Sequence, residues 1–201
     1  MATQDSYGQQ PLTILDRAGA ELSVLAVRRN AKLKDKRVAD IGCGYNAHTM
    51  RSMLDEVKSA VLIDVSLADD LKAHPKIRAI EGLLPDALAP LESESLDVVL
   101  ALAILEHLNE PDRALAEIHR LLVVGGVAVI NVPSWLGKPV LEFVAFRLGI
   151  SRDGMNDHKT YYDPRDLWPL LVRAGFRPQA IRCRRHKLGF ATLAVVTKEA
   201  R

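Results

Sequence analysis

The chain has 201 residues, 48% hydrophobic and 26% charged, which suits one water-facing domain with a full core; no apolar run approaches the ~20 residues of a membrane span. Its two cysteines, Cys43 and Cys183, lack paired spacing, which excludes a disulfide framework or zinc knuckle and leads us to expect no metal and a cytoplasmic setting. The net charge of +2 hides an asymmetry, since residues 131–201 carry 13 Lys and Arg against 6 Asp and Glu, a balance suited to a solvated basic face or an anionic acceptor.

The polar opening, with Asp5, gives no expectation of a secretory leader. Residues 12–31 repeat apolar side chains at three- and four-residue steps (Leu15, Ala18, Leu22, Leu25, Ala26), predicting a leading amphipathic helix within residues 1–35. Short apolar runs follow at 37–41, 60–64, 77–80, 97–102 and 127–132, separated by helical stretches or loops. That alternation predicts parallel strands buried on both faces and joined by right-handed crossovers. Residues 110–122 read as the clearest helix, capped by Asn109, opened by Pro111 and stopped by Gly125-Gly126.

Beyond Pro133 the rhythm changes. Residues 138–148 predict an apolar-faced helix, 149–162 a polar connection, and 163–174 a helix closed by Gly175. Two runs at 179–184 and 190–196 predict an antiparallel pair at the sheet edge. We therefore expect a single domain: a cofactor-binding core over 36–134, an acceptor-site insertion and lid over 135–175, and a strand pair over 176–201.

The segment Val38-Ala39-Asp40-Ile41-Gly42-Cys43-Gly44 places a glycine turn directly after a strand. Gly42 and Gly44 let a flat ligand approach the main chain, and Asp64 ends the next strand where a carboxylate can accept both hydroxyl hydrogens of a ribose. Gly42, Gly44 and Ala47 also satisfy a loose dinucleotide pattern, so a nicotinamide-dependent oxidoreductase stays open on these residues. Asp40 tilts the choice, because a carboxylate there repels a pyrophosphate but can hold an ammonium group.

Together these blocks resemble the class I S-adenosylmethionine-dependent methyltransferases over residues 36–134. The likeness runs through Val38–Gly44, Leu62–Ser66, Gly82–Pro90, Leu96–Val99 with Leu105-Glu106-His107-Leu108, and Leu121–Val127. The resemblance implies an α/β fold, a doubly wound, mostly parallel seven-stranded sheet with an antiparallel C-terminal edge pair, and S-adenosylmethionine as cofactor. It implies that Asp40, Gly42, Cys43 and Gly44 face the methionine part, Asp64 the ribose, Val65 the adenine face and Asp86 the adenine amino group. Ala101 and Leu102 would flank the reactive methyl. Asn46 stands where many members carry a third glycine, and Val123-Val124 where they carry Lys-Pro.

Displacement at a sulfonium needs alignment and a dry pocket, and a base only if the acceptor carries a proton to lose. His107 and His158 are the candidates for that role, with Trp135, Tyr161 and Tyr162 as acceptor contacts. The acceptor class expected is a small molecule, a polar lipid or a saccharide-type intermediate, handled by a monomer or homodimer. A cofactor-binding subunit without catalysis is the other alternative. Nucleic acid is disfavoured, since Ala101-Leu102-Ala103-Ile104 lacks a Pro-Pro-Tyr type motif and no appended binding module is present.

Overall fold

A computed structural model describes residues 14–148 and 158–200, with no account of the side chains of residues 14–16 and 144–148. In chain order the elements are α1 (Ile14–Asn30), β1 (Arg37–Ile41), α2 (His48–Arg51), β2 (Ser59–Asp64), α3 (Asp69–Lys72), β3 (Ile77–Glu81) and β4 (Leu96–Leu102). There follow α4 (Pro111–Leu121), β5 (Leu122–Pro133), α5 (Lys138–Leu148), α6 (Pro164–Arg173), β6 (Ile181–His186) and β7 (Ala191–Thr197). The seven strands form one sheet in the order β3-β2-β1-β4-β5-β7-β6. The first five run parallel, while β7 pairs antiparallel with β5 and β6 antiparallel with β7.

Alternate residues of the central strands feed two cores. Ala39, Ile41, Ile63, Val99, Ala101 and Ile130 pack with Leu115 and Ile118 of α4 and with Leu167 and Leu171 of α6. Val38, Leu62, Val98, Leu100, Val129 and Leu193 pack on the opposite face with Val24 and Val27 of α1 and Met50 of α2. Each such fully buried aliphatic side chain contributes roughly 1.5–3 kcal/mol of transfer free energy, so the uninterrupted apolar runs hold the sheet at its centre.

Three expectations are corrected. In the described part of α1 Ala26 is buried as expected, beside Val24 and Val27, whereas Leu22 and Leu25 are nearly half exposed, and the side chain of Leu15 lies outside the described residues. The helix axis is turned so that valine and alanine, not leucine, meet the sheet. The glycine pair does not stop α4, which ends at Leu121; Leu122 is already extended and pairs with Leu96. Gly125, at φ 81°, instead sits inside β5, where the register slips between Leu96 and Val98. The residue preceding the first turn of α4 is Glu110 rather than Asn109, and its side chain makes no capping bond.

At the opposite end of the sheet from the glycine turn, Asp97 accepts hydrogen bonds from both the backbone amide and the guanidinium of Arg37 at 2.9 Å. That pair fixes the start of β1 beside β4. Most of the polar connection after α5, residues 149–157, lies outside the described residues, while α5 and α6 stand where the sequence predicts them.

Candidate active site

The parallel strands β1, β2 and β4 end along one edge, and the turn after β1 is folded back across it. Gly42 and Gly44 have φ of 68° and 74°, a region that side chains with a β-carbon avoid. Gly42 is also sterically required, because a Cβ placed there would lie 2.4 Å from Cγ1 of Ile104. The left-handed residue that opens α2 is Ala47, with φ 43°, next to Asn46 at the position of the family's third glycine.

Asp64 anchors this turn. One carboxylate oxygen accepts the Gly44 amide hydrogen at 2.7 Å and the other accepts that of Val65 at 2.8 Å. Asp40, 2% exposed, keeps one oxygen without a hydrogen-bond partner among the described residues. Burial first, and then the charge of Asp64, push its carboxyl up to about 7. The Cys43 thiol is pushed up by burial first, and then by the charges of Asp40 and Asp64.

The other predicted cofactor residues border this edge in different ways. Ala101 is wholly buried in the core under α4, and Leu102 is half-buried. Ala103, at φ 56°, turns the chain away and donates its amide hydrogen to the Asn131 carbonyl at 2.7 Å. Asp86 opens a short 3-10 turn; its carboxylate is 76% exposed and tied to Arg113 at 2.6 Å.

A second group of side chains lies beyond β4. The 3-10 turn Leu105–His107 carries Glu106, 1% exposed, neither of whose carboxylate oxygens has a hydrogen-bond partner among the described residues. Burial pushes this carboxyl up to about 8, despite an opposing influence from Lys187. The His107 and His158 rings stand edge to face with centroids 4.8 Å apart, and one ligand atom from each of Glu106, His107 and His158 lies within 4.8 Å of the others.

Lys159 staples the segment carrying His158 onto this turn, its amide donating to the Glu106 carbonyl at 2.8 Å and its ammonium to the His107 carbonyl. Tyr161, 5% exposed, sits between His158 and Trp135, with ring centroids 5.5 Å from each. Tyr162 departs from this cluster, since its ring joins the hydrophobic core beneath α6. The sequence pattern gives Glu106 no site role. Its signal was a lone acid in the apolar turn Leu105-Glu106-His107-Leu108, which reads equally well as a solvated charge.

Comparison with known proteins gives this geometry its context. A family model described as a methyltransferase domain matches residues 39–130. A malonyl-[acyl-carrier protein] O-methyltransferase of Laribacter hongkongensis is 29% identical, over 98% of this chain and 68% of its own length. A ubiquinone biosynthesis O-methyltransferase of Psychrobacter arcticus is 28% identical over 74% of this chain and 62% of its own. The chain thus spans about two thirds of the length of these relatives. A solved SAM-dependent methyltransferase from Archaeoglobus fulgidus superposes with a TM-score of 0.64 at 17% identity, covering 89% of this chain and 94% of that one.

Residues 39–130 match a methyltransferase domain, and the chain has the fold of solved SAM-dependent methyltransferases. Its cofactor is S-adenosylmethionine, which closes the choice that the glycine turn of this methyltransferase had left open against a nicotinamide dinucleotide. The residues fit that cofactor. Asp40 keeps a buried carboxylate oxygen without a partner among the described residues, a group that an ammonium would satisfy, and Asp64 is a carboxylate held by two amides, a group that ribose hydroxyls would suit. Among the described residues no helix is long and apolar enough to cross a membrane.

Proposed function

We propose that this methyltransferase acts on an oxygen of a small-molecule, polar-lipid or saccharide-type acceptor, which it receives beside the Glu106, His107 and His158 cluster. The observation that carries the reading is a buried, unpartnered carboxyl placed against two imidazoles at the end of β4. The two relatives compared above are O-methyltransferases by name, which supports oxygen as the target.

When bound, S-adenosylmethionine supplies an electrophilic methyl on a sulfonium, and its loss to the acceptor leaves a neutral thioether. The chain's residues supply the rest. Asp40 and Asp64 hold the two ends of the donor, and the Gly42–Gly44 backbone lies against it. An imidazole of His107 or His158 takes the proton that the acceptor hydroxyl must lose as the new oxygen–carbon bond forms. A positive imidazole that close favours ionisation of Glu106, so the cluster shifts its charge internally rather than stranding it in a dry site. Tyr161 and Trp135 give the acceptor an aromatic wall.

The test is methyl transfer from labelled S-adenosylmethionine to a panel of phenols, carboxylated thioesters and hydroxylated lipids. We expect turnover on at least one class, falling in His107→Ala and His158→Ala with cofactor affinity retained. Transfer confined to amines or carbon acids would overturn the oxygen assignment.

A further inference from the structure

The edge that carries the site also carries an exposed apolar surface of which the acceptor reading uses Trp135 alone. Leu188 is 93% exposed, Phe143 59%, Trp135 49%, Leu136 48% and Val140 42%. These residues come from two segments that touch. The Ser134 amide donates to the Phe190 carbonyl at 3.1 Å, the Ser134 hydroxyl donates to the Gly189 carbonyl at 2.6 Å, and a Cβ on Gly189 would meet Leu136 at 3.0 Å. Ala191 pairs with Pro133, so the β6–β7 connection lies at the end of β5 that faces the cofactor cradle.

The connection is built to hold its tip outward. Lys187 and Leu188 both have left-handed backbones, at φ 49° and 59°, a conformation costly for side chains with a β-carbon. Its base is fastened to α1, where the Lys187 ammonium donates to the Gly19 carbonyl and the Ser23 hydroxyl at 3.0 Å. A leucine presented to water by a strained, anchored turn is poor economy for a surface that meets only water.

Positive charge lies beside this apolar surface, along β6 and at the base of the turn that follows it. Burial, and then the charges of Lys187, Arg184 and Arg29, hold the His186 imidazole below its usual range, which places those cations around the base of the turn. Arg182, Arg184 and Arg185 are exposed, and none of them forms an ion pair among the described residues. The one acid on the described part of α5, Glu142, is neutralised by Lys138.

We propose that this edge docks on an anionic phospholipid bilayer, with Leu188, Leu136, Trp135 and Phe143 entering the interfacial layer and the arginines meeting lipid phosphates. Apolar side chains flanked by cations are the combination that such a surface binds, neither part sufficing alone. The inference rests on the acceptor reading above and narrows it to an amphiphile. Trp135 touches Tyr161 and Tyr161 touches His158, so a headgroup at the imidazoles leaves its tail pointing into the lipid.

The test is co-sedimentation of the full chain with phosphatidylglycerol-containing vesicles and with phosphatidylcholine vesicles, beside S-adenosylmethionine calorimetry on the same samples. We expect pelleting with the anionic vesicles only, and a blue shift of Trp135 emission in a Trp168→Phe background. Leu188→Asp and the pair Arg184→Glu with Arg185→Glu should each weaken it about fivefold or more, with cofactor affinity unchanged. No pelleting at low salt, pelleting indifferent to Leu188→Asp, or instead a dimer that Leu188→Asp dissolves would each overturn the proposal. Missing cofactor heat would speak against the methyltransferase reading alone, leaving the vesicle result to decide docking.

Discussion

The Asp64 carboxylate accepts the amide hydrogen of Gly44 at 2.7 Å, so the end of the second strand fixes the turn that leaves the first. Its other oxygen is committed to Val65, and both contacts are charge-assisted. Asp64→Asn keeps the shape but turns one acceptor into a donor facing an amide hydrogen. We predict a loss of about 1–3 kcal/mol in urea denaturation. An unchanged midpoint at an unchanged slope would show that the contact does not hold the turn.

Stability and cofactor affinity should move in opposite directions with pH. Asp40 and Glu106 are pushed up, to about 7 and about 8, so the folded chain holds their protons more tightly than the unfolded chain. Their contribution is complete below the ordinary carboxylate range and is lost as pH rises through about 7 and then about 8. The thermal midpoint should therefore decline from the ordinary carboxylate range up to about pH 8 and level off above it, and Glu106→Gln should flatten the part of that decline above about pH 7. If Asp40 receives the ammonium of the donor it must be ionised to do so, and affinity should then rise roughly tenfold between pH 6 and 8 and lose this dependence in Asp40→Asn. A flat affinity profile in the native chain would contradict the role given to Asp40.

Gly42 and Ile104 are predicted to be coupled. Gly42→Ala meets both a positive φ and the Ile104 side chain at 2.4 Å, and should cost roughly 1–3 kcal/mol. Adding Ile104→Ala relieves the collision but not the backbone strain, so the double variant should recover part of the loss beyond additivity. Strict additivity in a double-mutant cycle would show that the two residues do not touch.

Much of this arrangement is legible in the sequence. The strands β1, β2 and β4 were located almost to the residue, because both of their faces are apolar and their ends are marked by Asp64 and the glycines. Other features depend on what a segment meets. The stripe Leu22 and Leu25 obeys helical periodicity, yet the surface over β5 accepts valine and alanine, and no pattern within one helix reports its rotation. Gly125 looks like a helix stop, yet it allows a bend inside β5 where Leu122 is claimed by Leu96. Glu106 was invisible for a related reason: a single acid carries no sign of whether its turn is covered by residues some fifty positions away, as this one is by Lys159.

The cluster of Glu106, His107 and His158 is assigned here to proton movement, although a carboxylate with two imidazoles is also a donor set that transition metals accept. The assignment predicts that a chelator leaves turnover unchanged and that added zinc inhibits by occupying the imidazole nitrogens. His107→Ala or His158→Ala should lower kcat by about 10²–10⁴ if it removes the base, with little change in cofactor affinity. Turnover abolished by chelation and restored by a metal would overturn the assignment.

Calorimetric titration of S-adenosylmethionine into the native chain and into Asp64→Ala tests the cradle most directly. The account predicts one site per chain in the native protein, weakened about tenfold or more in the variant by loss of the ribose acceptor and of the anchor on Gly44. Absence of heat with both S-adenosylmethionine and its demethylated product, or equal affinity in the two proteins, would contradict it.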